Sequence, residues 1–393
     1  MRRWTFGVVG AAVLAWSGVA QAAGGAVAPS PYLVLGSPVA ANPAAFAWQA
    51  LSLSAGPVSL ESFSSAWTVG DVVRSATSGD PWKAIGELAS RYPGEAEVLR
   101  TSGAARLRAN VMAFEVGYGL MAQAGAHLPA GFLRLAADAA RQALGGPYDL
   151  TGTRLVSAAW SDLSVRANTP VPVIPKALGL SSFSVGAGIH FLKGHGYYAL
   201  NADGTFSPPA ATGPALRAWR SRDGTGYAVD AGIVAGLRPS FSVEAAVVGY
   251  GQLQWTGVEE LTELQADGTL VWKGAQDVTY VLPATALVAA HWRPLPAGLL
   301  ELTGGYARVG INKPGEEAFN RLYAQADAGL GRFVRAGLGV VKDSVDPEAR
   351  VYGSIGGGAG VVTASLQVVN LQELPKGADA KSLGLGLMVS GGF

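Results

Sequence analysis

Apolar and polar residues alternate with a period of two along most of the chain. From position 241 one face reads Phe241, Val243, Ala245, Val247, Gly249, Gly251, Leu253 and Trp255, and the other reads Ser242, Glu244, Ala246, Val248, Tyr250, Gln252 and Gln254. Successive strand side chains point to opposite sheet faces, so this spacing predicts a long strand with an aromatic near each end of its apolar face. The design repeats in Val278, Tyr280, Leu282, Ala284, Ala286, Val288, Ala290 and Trp292, with Asp277, Thr279, Thr285 and His291 opposite. Comparable alternation covers 112–120, 183–191, 227–237, 322–330 and 383–393, while 154–165 and 349–358 are less regular. Strands of soluble sandwiches usually stop after about 5–6 residues. Runs of this length suit strands that cross a bilayer.

The connections sort by length. Short ones fall at Arg238-Pro239-Ser240, Arg293 to Pro296, Gly331-Arg332 and Gly356 to Gly360, and long polar ones at Lys193 to Gly224, Gly257 to Ala275, Gly310 to Glu317 and Leu371 to Lys381. Outer-membrane barrels keep short turns on the periplasmic side and long loops outside. About thirteen strand-like segments can be counted, and an even total is expected. Tyr32–Val39, or a split of 46–62, would supply the fourteenth. The reading is an all-β, transmembrane antiparallel β-barrel of about fourteen strands over 46–393. Two segments break the pattern. Asp80-Pro81 is a helix start, and Trp82, Ile85, Leu88 and Ala89 make one helical face. Phe132, Leu135, Ala136 and Ala139 make another. These predict short helical inserts, the first within 63–105, which counting back from Phe393 puts on the periplasmic side.

Met1-Arg2-Arg3, the apolar run from Phe6 to Ala20 and the small residues of Ala20-Gln21-Ala22 fit a secretory signal peptide over 1–22. Beyond it no window approaches the roughly 20 apolar residues of a spanning helix. Only 15% of the 393 residues are charged, 49% are apolar and 54 are Gly, which is far fewer charges than a soluble chain carries. Lys+Arg number 29 against 28 Asp+Glu, a balance that excludes nucleic acid as a partner. The absence of Cys excludes disulfides, a thiolate nucleophile and Cys-ligated metal.

Candidate chemistry is sparse. The four histidines are His127, His190, His195 and His291. His190 and His195 are an odd number apart, so a strand turns them to opposite faces and builds no metal site. Nothing calls for a cofactor. A hydrolase using His190 or His291 as base stays open, because no particular serine is specified. By alternation Glu115, His190, Asp230, Glu244, Glu301, Arg321, Asp327 and Arg335 face the lumen. Ionisable groups at membrane depth must pair or meet water, so these form either a structural network or a polar lining of a path.

Asn42-Pro43-Ala44 ahead of the first strand, Val185-Gly186-Ala187-Gly188-Ile189 followed by Phe191-Leu192-Lys193-Gly194, and Gly226-Tyr227-Ala228-Val229-Asp230-Ala231-Gly232 followed by Leu237-Arg238-Pro239 together resemble elements of the FadL-type outer-membrane transporters of long-chain fatty acids and related hydrophobic compounds. The helical insert after Asn-Pro-Ala is similar to the TraF-like branch of that superfamily. Phe393, ending an amphipathic strand, resembles the C-terminal targeting signal of outer-membrane barrels. The resemblance implies a hatch over 23–45 with Asn42, Pro43 and Ala44 at a kink near the wall. It implies a passive channel or receptor for a small hydrophobic molecule in the bacterial outer membrane, with outer-membrane lipid and the barrel-assembly machinery as partners. The alternatives are a non-transporting barrel of a secretion or conjugation apparatus, docked through the 63–105 insert, and an outer-membrane lipid hydrolase. Loop aromatics Tyr197, Tyr198 and Phe206 would help form a capture cleft.

Overall fold

A computed structural model describes residues 42–392, except 45–48, 66, 69, 72–80, 93–96, 142, 173, 175–178, 208–209, 212–215, 265–269, 296–298, 313–317, 331–333, 345–347 and 360–361. Residues 1–22, where a signal peptide is expected, most of the 23–45 segment, Tyr32–Val39 and Phe393 lie outside the described residues. The wall is a closed antiparallel barrel of 14 strands. They are β1 (Gln49–Ser64), β2 (Glu97–Met112), β3 (Phe114–Leu128), β4 (Thr153–Pro170), β5 (Ser182–Ala202), β6 (Asp223–Arg238) and β7 (Phe241–Thr256). β8 follows in two pieces (Val278–Val281 and Thr285–Trp292), then β9 (Leu300–Val309), β10 (Phe319–Leu330), β11 (Val334–Asp343), β12 (Arg350–Ala359), β13 (Val362–Val369) and β14 (Ser382–Gly392). Each strand pairs with its sequence neighbour, and β14 closes on β1 from Ser52↔Gly392 to Phe63↔Ser382. Closure leaves no sheet edge, which is what lets strands cross hydrocarbon.

The outward face supplies the apolar surface. Tyr118, Leu163, Phe191 and Tyr227 stand side by side in register on β3 to β6, each about half exposed. Val288, Leu322, Leu338, Ile355 and Leu385 continue the exposed apolar band around the cylinder. Among the described residues no helix is long and apolar enough to cross a membrane.

The helical insert differs from expectation in extent and side. β1 runs to Ser64 and β2 begins at Glu97, so the insert spans 65–96 and lies at the long-loop end, opposite the short-turn end where Gln49 and Gly392 lie. The strand missing from the count is β2, and not a split of 46–62; Tyr32–Val39 lies outside the described residues. Its inward face carries Arg106, Arg108 and Asn110 opposite Leu107 and Val111, and a buried row of arginines hides the apolar period. Helix α1 (Pro81–Arg91) and helix α2 (Ala130–Ala140) sit with short strands at Tyr148–Asp149, Thr205–Phe206, Leu216–Ser221, Glu259–Leu264 and Leu270–Gly274. They share a core of Trp67, Leu88, Phe132, Leu135, Tyr148, Leu150, Phe206 and Leu216, a cap at the long-loop end. Tyr197 and Tyr198 belong to β5 and not to a loop.

Two of the strands that change face partway are β7 and β8. In β7, Gly249 has φ 70° and makes a bulge between Val229 and Ala231 of β6, a left-handed conformation glycine tolerates without strain. Val247 therefore points out, whereas Leu253 and Trp255 are fully buried inside. In β8, Leu282-Pro283-Ala284 interrupts the strand, so Tyr280 and Leu282 are inward while Val288 and Trp292 are exposed. Asn312 repairs this break: its Oδ1 accepts the Ala284 N–H (2.8 Å) and its Nδ2 donates to Leu282 O (2.8 Å). The unbroken apolar faces expected for 241–255 and 278–292 are thus each two half-faces.

Candidate functional site

Asn42, Pro43 and Ala44 are buried inside the barrel against β5 and β6. The Asn42 side chain donates to Ile233 O (3.1 Å) and Glu244 Oε2 (3.0 Å), and its Oδ1 accepts the Ala44 N–H (2.9 Å). Ser184 Oγ donates to Ala44 O (3.2 Å). The turn fits because the wall beside it has no side chains. A Cβ on Gly186 would lie 2.5 Å from Ala44 N and from Pro43 O, and one on Gly232 would overlap Asn42 Oδ1. Pairing of β5 with β6 is continuous here, from Ser182↔Gly236 to Gly194↔Gly224, so the wall has no gap beside Pro43. The irregularity lies in β1, where the register shifts against both β2 and β14 between Ala55 and Ser59 and Gly56 has φ 116°. Pro57 there lacks a donor for either ladder.

Three ionic networks cross the interior. In the first, Arg166 bridges Glu115 (3.3 Å) and Asp230 (2.7 Å), Arg106 pairs with Asp162, and Arg108 lies 3.8 Å from Glu115. His190 sits between two carboxylates, Nδ1 2.9 Å from Asp162 and Nε2 2.8 Å from Asp230, and the Gly249 N–H donates to Asp230 Oδ1 (2.7 Å). In the second, Glu301 receives Arg335 (2.9 Å) and Arg293 (3.3 Å), and His291 lies 3.2 Å from Glu244. Nearby, Gln325 Nε2 donates to Asp327 (2.7 Å). In the third, Asp343 takes Arg321 (2.6 Å) and Arg350 (2.6 Å), and Arg350 reaches Glu61 of β1 (2.9 Å). In each, opposite charges meet at hydrogen-bonding distance, which is how ionisable groups persist at this depth.

The structure places the eight polar residues named from the sequence, Glu115, His190, Asp230, Glu244, Glu301, Arg321, Asp327 and Arg335, in hydrogen bonds or ion pairs with other side chains. Their partners Arg106, Arg108, Asp162, Arg166, Glu61, Asp343 and Arg350 escaped sequence reasoning. Two of them, Asp162 and Arg166, lie four apart on β4 and so share its inner face; that spacing was the available signal. The hydrolase candidates lose their geometry. His190 faces a carboxylate at each nitrogen, and His291 faces Glu244 and, at 3.1 Å, the Thr303 hydroxyl. His195 does meet a serine, Ser161 Oγ at 3.0 Å, but both lie on the outward phase of their strands.

Toward the long-loop end the interior turns apolar. Met121, Trp160, Leu192, Leu253, Trp255, Tyr280 and Leu282 are buried together, with Tyr197 and Trp219 packed against them. Tyr197 stacks on Trp255 (5.3 Å, 23°) and meets Tyr280 at 6.0 Å. Gln123 of β3 donates to the Tyr280 hydroxyl of β8 (2.5 Å) across the lumen.

A closed 14-stranded barrel, ringed outside by apolar side chains and filled inside by ion pairs and an aromatic layer, is the architecture of a transmembrane β-barrel. Among solved structures the chain is similar to the toluene transporter TbuX of Ralstonia pickettii, with 10% identity, a TM-score of 0.51, and 90% of this chain and 92% of that one covered. It is also similar to the deltaS2S3 mutant of the monoaromatic hydrocarbon channel TodX, with 10% identity, a TM-score of 0.53, and 95% and 97% covered. No family model and no curated protein matches the sequence. At such identity the likeness establishes the fold alone, which this chain shares with those two structures.

Proposed function

We propose that the protein is a passive channel of the bacterial outer membrane, admitting small hydrophobic compounds such as a long-chain fatty acid or a molecule of similar polarity. One observation carries this reading: the lumen beneath the cap is closed by buried aromatic and aliphatic side chains. A general porin keeps a polar, water-filled interior, whereas this layer favours a solute that gains from leaving water. The likeness to a toluene transporter and a monoaromatic hydrocarbon channel supports it. In this reading solute enters at the long-loop end and passes the Asn42–Ala44 turn, which belongs to a hatch formed by 23–45. It leaves the lumen beside the β1 bulge, not beside Pro43. The ionic networks hold the wall rigid around that path, and no chemical step is assigned to them.

In this reading the 65–96 segment, at the long-loop end, faces outward and not toward a periplasmic secretion apparatus. The test is entry of radiolabelled toluene and of oleate into proteoliposomes holding the full chain. Entry of either above protein-free liposomes is expected. Equal rates for both solutes with and without protein would overturn the reading.

A further inference from the structure

We propose that the outer face of the barrel carries a second site, an esterase centre built from Ser161 and His195 and aimed at the long-chain acyl esters of the surrounding lipid; it is independent of what crosses the lumen. Ser161 Oγ lies 3.0 Å from His195 Nε2, a distance at which histidine takes the proton of a serine nucleophile. The pair is the product of a bulge. β4 and β5 pair through Trp160↔Gly194 and then through Ala159↔Gly196, so His195 is the extra residue. A bulge re-aims the side chain it carries, here toward Ser161 on the neighbouring strand. On the other side, Gly194↔Gly224 of β6 and Tyr197↔Ser221 of the short strand before it share one register, which sets Asp223 opposite His195. Lys193, the ladder partner of Ser161, pairs with the Asp223 carboxylate. His195, Lys193 and Asp223 are exposed, and Ser161 is buried at the centre of the group. Beside His195 the surface is open, because a Cβ on Gly196 would meet nothing within 4 Å.

The register also fixes the depth. Leu163↔Phe191 is the outward pair next below Ser161↔Lys193, and both belong to the half-exposed row from Tyr118 to Tyr227. Two residues of strand rise about 7 Å, and over that rise Lys193 and Asp223 replace apolar side chains, which marks the boundary between acyl chains and headgroups. A lipid whose chain lies along Leu163 and Phe191 brings its ester carbonyl to Ser161. Ser161 Oγ bonds to the carbonyl carbon while its proton passes to His195 Nε2, and the carbonyl electron pair moves onto oxygen, toward the Lys193 ammonium. The oxyanion then collapses, the bond to the alkoxy oxygen breaks, and the departing alcohol takes the proton from His195. Water adds to the acyl-serine and gives its proton to His195. The bond to Ser161 Oγ breaks, Oγ recovers that proton, and a free fatty acid leaves. In the proposed orientation the substrate is drawn from the outer leaflet.

The test places the full chain in proteoliposomes holding one of two ester sources, phosphatidylethanolamine with radiolabelled oleoyl chains or lipopolysaccharide with radiolabelled acyl chains, and measures the fatty acid set free. Release from at least one source is expected, and the source that yields it names the lipid. Ser161→Ala and His195→Ala should each lower the rate about a thousandfold or more, and Lys193→Ala about a hundredfold. A dodecyl fluorophosphonate, which reacts with activated serines, should attach at Ser161 in the wild type and fail to attach in His195→Ala, a difference that a merely structural pair would not produce. Heat-modifiable gel migration shows that each variant has folded. No release from either lipid, or release or labelling that persists in folded Ser161→Ala, would overturn the proposal.

Discussion

Substituting Gly186 by Ala tests whether the Asn42–Ala44 turn is seated in the wall as a removable plug. The added Cβ would meet Pro43 O and Ala44 N at 2.5 Å, and these are backbone atoms that no rotamer change can move away. The β5 backbone at Gly186 is paired on both sides, with Asn168 of β4 and Gly232 of β6, so the turn must yield rather than the wall. What holds it is a bond from Asn42 to Ile233 O, one from Asn42 to the Glu244 carboxylate, and one from Ser184 to Ala44 O. Two neutral bonds of about 0.75 kcal/mol each and one to a charge of about 1.5 kcal/mol sum to about 3 kcal/mol. Losing them raises the unseated fraction roughly 150-fold. The assay is maleimide labelling of Ala44→Cys, whose site is only 4% exposed. Labelling should be slow in this parent and at least roughly 100-fold faster when Gly186→Ala is added. A folded double variant that labels as slowly as the parent would refute the reasoning.

Arg166→Met leaves the buried Glu115 and Asp230 carboxylates without their bridging guanidinium, and unfolding in detergent micelles should show a loss of about 3–5 kcal/mol. Asn312→Ala orphans the Ala284 N–H and Leu282 O; amide exchange at Ala284 should quicken about tenfold or more while global stability falls by only about 1–3 kcal/mol. In the cap, burial works to raise the Asp71 carboxyl, but hydrogen bonds from Tyr92 and Thr68 and the charge of Arg91 hold it below the ordinary carboxylate value. A group depressed in the folded state stabilises above its unfolded pKa of about 3.9 and loses that contribution as pH falls through the folded value. Proteolysis of the 65–96 insert should therefore accelerate below about pH 4 in the wild type, and Asp71→Asn should accelerate it already at neutral pH.

The wall was legible wherever one strand face is apolar throughout. On β10 the outward Leu322, Ala324 and Ala326 and the inward Arg321, Gln325 and Asp327 fall as the alternation predicts. Legibility fails at two kinds of place. The first is a strand whose inner face is paired charge: β2 puts Arg106 and Arg108 where a period-two reading expects small or apolar residues, and losing it displaced the insert to the wrong side. The second is a bulge. Gly249 and Pro283 each shift the phase by one residue, so Trp255 and Tyr280, assigned to lipid, form the inner aromatic layer. Gly249 looks like any other glycine on a small-residue face, and only the partner strand shows that it is an extra residue. Ion-pair partners are hidden for a related reason. Glu61 and Arg350 lie far apart in sequence and meet across the lumen because β1 closes the ring near β12.

The placement of rigid and loose elements argues that the proposed transport moves side chains and the Asn42–Ala44 turn and leaves the cylinder intact. The β2–β6 half is tied by full-length ladders and by Arg106, Arg166 and His190 with their carboxylates. Breaking any of those pairs strands a charge in a low-dielectric interior, so that half does not open on a useful timescale. The Asn42–Ala44 turn, by contrast, is held by a few hydrogen bonds. On the proposed path a solute that passes the aromatic layer still meets the turn, so two barriers stand in series between fixed walls. Relaxing one should then speed entry only until the other limits it. Accordingly, Tyr280→Ala combined with Gly186→Ala should raise toluene entry above the faster of the two single variants. Equality of the double and the faster single variant would mean that the path crosses only one of them.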